Sequence, residues 1–185
     1  MREIDILLIG GWAAFWLYWF VMAYATSNGP VFRSSSLGIR AIIVIAVIWL
    51  VRSRVLRGHS FSPSIDPLRV GIGLALFVMG LGFAIWARVH IGRNWGTPMR
   101  QRDDPELVTS GPYRFVRHPI YSGILVAGVG TAAALLSWVW TAAVVLGGIY
   151  FVHSAIVEER HMNERFPESY PAYKRSTKML VPFIL

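Results

Sequence analysis

"IYSGILVAGVGTAAALLSWVWTAAVVLGGIYFVHSAIV", residues 120–157, decides the fold. These 38 residues contain no Lys, Arg, Asp, Glu or Pro, and His153 is the only histidine among them. A hydrocarbon core roughly 30 Å thick is crossed by about 20 apolar residues. A single helix of this length would reach about 57 Å, almost twice that thickness. The run must therefore turn back on itself. "SWVW", around Ser137 and Trp138, is the natural corner, which predicts a tight helical hairpin.

Three further spans are expected before the hairpin. The first covers about Ile4–Ala25, is rich in Trp, Phe and Tyr, and ends in the turn chemistry of "TSNGPVF". Its N-terminus lacks a basic region followed by a small-residue cleavage site, so it reads as a retained span. A short second run, about Leu37–Val51, is flanked by Arg40 and Arg52, which can snorkel to the interfaces. The third covers about Leu68–Ala87. Its "GIGLALFVMGLG" follows no strand and opens no βαβ unit, so the mechanics of a phosphate-binding loop are missing. Small residues that let membrane helices approach closely explain it instead. The fold expected is all-α, an integral membrane bundle of about five spans with a C-terminal hairpin and an amphipathic tail. The whole chain, 1–185, is expected to form a single membrane domain, with three N-terminal spans in 1–87 and a catalytic core in 88–185.

Composition agrees. The chain is 55% hydrophobic and 15% charged, with mean hydropathy +0.50, against about 25% charged in average soluble domains. There is no Cys, and the five histidines are scattered without metal-ligand spacing, so no metal is expected. The formal charge of +8 would suggest nucleic acid in a soluble chain. Here the arginines sit at the ends of apolar runs, where anionic headgroups account for them, and no nucleic-acid partner is expected. Five spans put the 88–119 loop and the tail on one side. With the first loop, that side carries twelve Lys and Arg, from Arg33 to Lys178, against five on the other (Arg2, Arg52, Arg54, Arg57, Arg69). The positive-inside rule makes the loop and tail cytoplasmic.

Two polar stretches flank the hairpin. "LVTSGPYRFVRHPIYSG" (107–123) precedes it, and Pro119 is suited to a first helical turn. His118 then lies beside a helix N-terminus, which favours anionic groups, and shares a face with Tyr121. Taken alone, this reads first as an interfacial cap with snorkelling arginines. "EERHMNERFPESYPAYKR" (158–175) follows the hairpin. Two carboxylates at a helix C-terminus run against the dipole and call for another reason, such as a cationic ligand. Glu158 and Glu159 point in different directions, so at most one is expected to face the interior. The hairpin brings both stretches to one membrane surface.

The two-part pattern RHPxYxG, a spacer of about 35 residues, then EE and a Tyr-rich tail resembles the isoprenylcysteine carboxyl methyltransferase family. These are integral membrane enzymes that use S-adenosylmethionine and are related to phospholipid methyltransferases. The resemblance covers about residues 100–185. It implies that Glu106, Leu107, Val108, Tyr113, Arg117, His118, Pro119, Ile120, Tyr121, Glu158 and Glu159 hold S-adenosyl-L-methionine, with Glu158 favoured of the acidic pair. It also implies a membrane lipid or prenylated acceptor, in the first instance the carboxylate of an isoprenylated cysteine. The cofactor's carboxylate suits Arg117, His118 and the helix N-terminus, and its cationic groups suit a carboxylate and aromatic faces.

There are departures from the family pattern. Pro167 stands where the family has glycine. Eukaryotic members place an arginine ahead of the acidic pair to hold the substrate carboxylate, and here "VHSAIVEE" offers His153 and Ser154. A phospholipid amine or small thiol acceptor therefore stays open, as does a sterol-reductase-like enzyme binding NADPH. No general base is identified, and a carboxylate acceptor needs none.

Overall fold

The computed structural model describes residues 3–25, 66–94 and 106–181. The described elements are all helical: α1 (Glu3–Ala25), α2 (Pro67–Ile91), α3 (Pro119–Leu135), α4 (Trp138–Arg165) and α5 (Tyr170–Ser176), with 3-10 turns at Gly92–Asn94 and Gly111–Arg114. Three of them, α1, α2 and α4, are long and apolar enough to cross a membrane, while α3 is a shorter apolar helix. The second span, expected at 37–51, lies outside the described residues. The chain divides into two compact units, Met1–Ile65 with Leu135–Val139 and Asp66–Ala134 with Trp140–Leu185.

In the first unit, Glu3 and Asp5 sit in the first turn of α1, where negative charge suits the helix dipole. Its aromatics gather around the buried Phe15. Trp12 and Trp16 meet that ring edge-on at 6.0 Å and 5.4 Å, and Trp19 lies 5.5 Å away.

The second unit begins with a capped helix. Asp66 Oδ1 accepts from the backbone N–H of Leu68 at 3.0 Å and of Arg69 at 3.4 Å, with Pro67 at the first helical position. α2 and α3 then run antiparallel in near backbone contact. A Cβ built on Gly80 would lie 2.6 Å from the Gly123 carbonyl oxygen, and one on Gly73 would lie 2.7 Å from that of Gly130. Both pairs recur at seven-residue spacing, the small-residue seam expected of "GIGLALFVMGLG". Arg69 Nη1 closes the far end by donating to the Ala133 and Ala134 carbonyls at 2.6 Å and 3.1 Å, satisfying acceptors that a helix end leaves open.

The hairpin forms as the length arithmetic requires. α3 stops at Leu135 and α4 starts at Trp138, with Leu136 in a left-handed conformation (φ 46°) between them. Gly128 lies against Val144 and Tyr121 stacks on Phe151, which fixes the antiparallel register. Outward-facing Ile72, Val78 and Met79 on α2, and Val145, Leu146 and Ile149 on α4, are exposed. In a bilayer these are lipid-facing positions, where apolar exposure is favourable.

Two boundaries differ from expectation. α4 runs on to Arg165, so Glu158 and Glu159 lie nearly two turns inside it and not at a helix C-terminus, and the dipole gives no reason for a cationic ligand there. The third span was expected to end at Ala87, leaving Arg88 in the polar loop. Instead α2 continues to Ile91, and Arg88 is buried within it, only 1% exposed. Its guanidinium donates to the Gly92 carbonyl at 3.0 Å and so completes the helix end from inside.

Candidate active site at the mouth of the hairpin

The segment ahead of α3 is shaped by a turn that only glycine accepts easily. Gly111 has φ +59°, and the His90 ring occupies the space a Cβ would need, 2.6 Å away. His90 Nε2 also lies 2.9 Å from Ser110 Oγ. The turn buries Tyr113, whose carbonyl accepts from the Tyr173 hydroxyl at 2.7 Å. Burial pushes the Tyr173 hydroxyl up to about 12 and raises that of Tyr113 as well, so both remain donors at neutral pH.

Residues 116–118 lead from that turn into α3, and the C-terminal segment lies beside them. Val116 bridges Lys178 in parallel, Arg117 N–H donates to the Lys178 carbonyl at 2.8 Å, and His118 N–H donates to that of Met179 at 3.1 Å. Ser122 Oγ adds a bond to the Leu180 carbonyl at 2.5 Å. This ladder-like pairing in an otherwise helical unit was not foreseen, since nothing in "STKML" carries a strand signal.

Above it sits a charged and aromatic cluster. Arg117 Nε donates to Glu159 Oε1 at 2.6 Å, and its Nη1 donates to the carbonyls of Lys174, at 3.1 Å, and Thr177. Lys174 Nζ meets Glu159 Oε2 at 2.7 Å. The His118 ring lies between the two acids, with Nδ1 3.4 Å from Glu158 Oε2 and Nε2 3.6 Å from Glu159 Oε1. It stacks on Tyr121 with centroids 5.5 Å apart and planes 5° from parallel, and Tyr121 stacks on Phe151 at 4.6 Å. The Tyr121 hydroxyl donates to Glu158. Burial pushes the His118 imidazolium toward the neutral form, but the facing carboxylates of Glu158 and Glu159 more than offset this and leave its pKa above 6.5.

The acidic pair is thereby split. Only one member is buried, as adjacency on a helix requires, and it is Glu159, at 3% exposure. Glu158 keeps 42% of its side chain exposed. Of the other expected residues, Pro119 and Ile120 form the buried start of α3. Glu106, Leu107 and Val108 lie in irregular backbone before the 3-10 turn, Glu106 exposed and the other two half-buried. Ser154 is half-buried and lies about 40° from Glu158 around α4 at 100° per residue. His153 is exposed and about 140° away, so α4 separates it from the cluster. Lys174, Phe151, Tyr173 and Ser122 were not anticipated. Phe151 was accessible to sequence reasoning, being seven residues before Glu158 and hence on its face.

The site fits a ligand with both charges. His118 Nε2 is buried and has no hydrogen-bond partner, the 3.6 Å to Glu159 being beyond bonding reach. Beside it stand a half-exposed carboxylate and stacked aromatic faces, suited to a cation. Among the described residues no group of His, Asp and Glu could hold a metal.

These features define a multi-pass helical membrane protein with a polar site at one end of its hairpin. Residues 68–169, more than half of the chain, match the family model for phospholipid methyltransferases, and the chain belongs to that family. It is 30% identical over 115 residues to protein-S-isoprenylcysteine O-methyltransferase B of Arabidopsis thaliana, covering 60% of this chain and 58% of that one. It is 33% identical over 84 residues to methanethiol S-methyltransferase 1 of Bradyrhizobium diazoefficiens, covering 45% of this chain and 29% of that one. The chain thus matches less than two thirds of the length of these relatives. Its fold is similar to a solved eukaryotic intramembrane Ras methyltransferase, ICMT, with a TM-score of 0.66 at 20% identity, covering all of this chain and 69% of that one.

Proposed function

We propose that the protein transfers a methyl group from S-adenosyl-L-methionine to a lipid-like acceptor at the membrane, the carboxylate of an isoprenylated cysteine or an analogue. The observation that carries the reading is the half-exposed Glu158 carboxylate beside the His118–Tyr121–Phe151 stack. A carboxylate and π-faces suit the cofactor's cationic groups, while His118 Nε2, which has no hydrogen-bond partner, suits its carboxylate. When bound, the cofactor supplies an electrophilic methyl group on a sulfonium. The protein's part is alignment and exclusion of water. The Tyr121 hydroxyl fixes the Glu158 carboxylate, the stack fixes the His118 ring, and apolar α3 and α4 wall the site on the membrane side. In this reading the site opens to the cytoplasm, as the excess of Lys and Arg in the 88–119 loop and the tail supports.

A small-thiol acceptor is the second reading. Residues 151–158 of α4 contain no Lys or Arg. The site face of α4 therefore offers Ser154 where a carboxylate acceptor would call for a cation. Labelled cofactor and the purified protein in detergent test both. Methyl transfer to a farnesylcysteine analogue supports the first, and transfer to a small alkanethiol alone would replace it with the second. Binding of NADPH without S-adenosylmethionine would sink both.

A further inference from the structure

We propose that Arg117, Glu159 and Lys174 form a clamp that docks residues 177–180 against the start of α3, and that Arg117 and Glu159 are positioning residues in place of cofactor ligands. This rests on the methyltransferase reading and deepens it, by dividing the acidic pair between two tasks.

The argument is one of saturation. Each oxygen of Glu159 already faces a cation, Arg117 Nε at 2.6 Å and Lys174 Nζ at 2.7 Å. Arg117 Nη1 is in turn committed to the carbonyls of Lys174 and Thr177, at the end of α5. The Arg117 and Glu159 side chains are only 8% and 3% exposed. A ligand approaching either would have to break a buried ion pair and leave an uncompensated charge, which is strongly unfavourable.

What the clamp holds in place is the site itself. Where α5 ends, the chain passes directly into the segment whose Lys178, Met179 and Leu180 carbonyls accept from Arg117 N–H, His118 N–H and Ser122 Oγ. The backbone of His118 is therefore fixed from the tail, and its ring is fixed by Tyr121. Glu158 carries no such obligation to the tail and remains open to a ligand. Lys174 offers a clean handle, since its side chain is 53% exposed and its loss removes a charge without opening a core cavity.

The test pairs hydrogen exchange at the Arg117 and His118 amides with calorimetric binding of S-adenosylmethionine, on the full chain in detergent. Lys174→Ala is expected to speed exchange at both amides by about tenfold or more, as local opening costs less once a partner of a buried charge is gone. It should also weaken binding, and Lys174→Arg should restore both. Glu158→Gln should weaken binding and leave exchange unchanged. Unchanged exchange in both Lys174→Ala and Glu159→Gln overturns the clamp. So does a Glu159→Gln variant that loses binding with normal exchange, because Glu159 would then be a ligand. If the wild-type protein binds no S-adenosylmethionine, the methyltransferase reading fails, and the exchange results still decide the clamp.

Discussion

Arg117 and Glu159 stand 42 positions apart in sequence, yet Nε and Oε1 meet at 2.6 Å, with both side chains almost wholly buried. The pair exists because the hairpin returns the chain to the surface it left. Removing Arg117 takes one of two cations from the buried Glu159 carboxylate, which keeps Lys174, and uncovers the Lys174 and Thr177 carbonyls. Arg117→Ala should therefore destabilise the protein by about 1–3 kcal/mol, the cost of leaving buried acceptors unsatisfied. Thermal unfolding in detergent checks this. A melting temperature within error of wild type would mean that the pair contributes little.

Glu158 should behave in the opposite way. Its carboxylate is 42% exposed and accepts from the Tyr121 hydroxyl, a bond that a glutamine oxygen can still accept. Glu158→Gln is expected to lower the melting temperature less than Arg117→Ala does, losing only its charge opposite the His118 ring. It should weaken S-adenosylmethionine binding by about 1.5–3 kcal/mol, the range for hydrogen bonds to a charged group. Calorimetry on Glu158→Gln and Glu159→Gln side by side decides whether the adjacent acids have separate roles.

Much of this is legible in the sequence. The corner near Trp138 followed from a run too long to cross once, and the glycines of α2 were read as a close-approach seam, which Gly80 and Gly123 form. Helical spacing also puts His118 and Tyr121 on one face, where their rings stack. The tail pairing was not legible, because its acceptors are backbone carbonyls and any sequence supplies those. Arg88 departs from its sequence pattern for a related reason. A charge at the end of an apolar run ordinarily marks the loop, but this one turns inward to the Gly92 carbonyl. The choice between Glu158 and Glu159 depended on Lys174, whose approach no local spacing encodes.

The α2–α3 seam gives a test independent of any ligand. A Cβ on Gly80 would come within 2.6 Å of the Gly123 carbonyl oxygen, a backbone atom that cannot move aside alone. Gly80→Ala should force the helices apart and cost about 1–3 kcal/mol as overpacking. At Gly82 nothing lies within 4 Å of the new methyl group. There the same substitution should be neutral or stabilising by up to about 1 kcal/mol, as alanine is in a helix. Equal effects at the two positions would contradict the close crossing.

The His118 ring predicts a pH dependence of stability with a definite sign. Its pKa in the folded protein is raised above 6.5 by the carboxylates of Glu158 and Glu159, despite the opposing effect of burial. Folding therefore favours the protonated ring. The stabilisation is fully present below the unfolded value of about 6.5 and is lost as pH rises through the higher folded value. Thermal unfolding followed from about pH 6 to about pH 9 should show a falling melting temperature over the upper part of that range. His118→Gln should flatten the profile, since the amide does not titrate. A wild-type curve that rises with pH, or a variant that keeps the slope, would assign the titration to another group. Bound S-adenosylmethionine should modify the same profile, because a carboxylate at His118 Nε2 adds a further reason for the ring to stay charged. The fall in melting temperature should then shift to higher pH in the presence of the ligand, a linkage that an uncharged competitor would not reproduce.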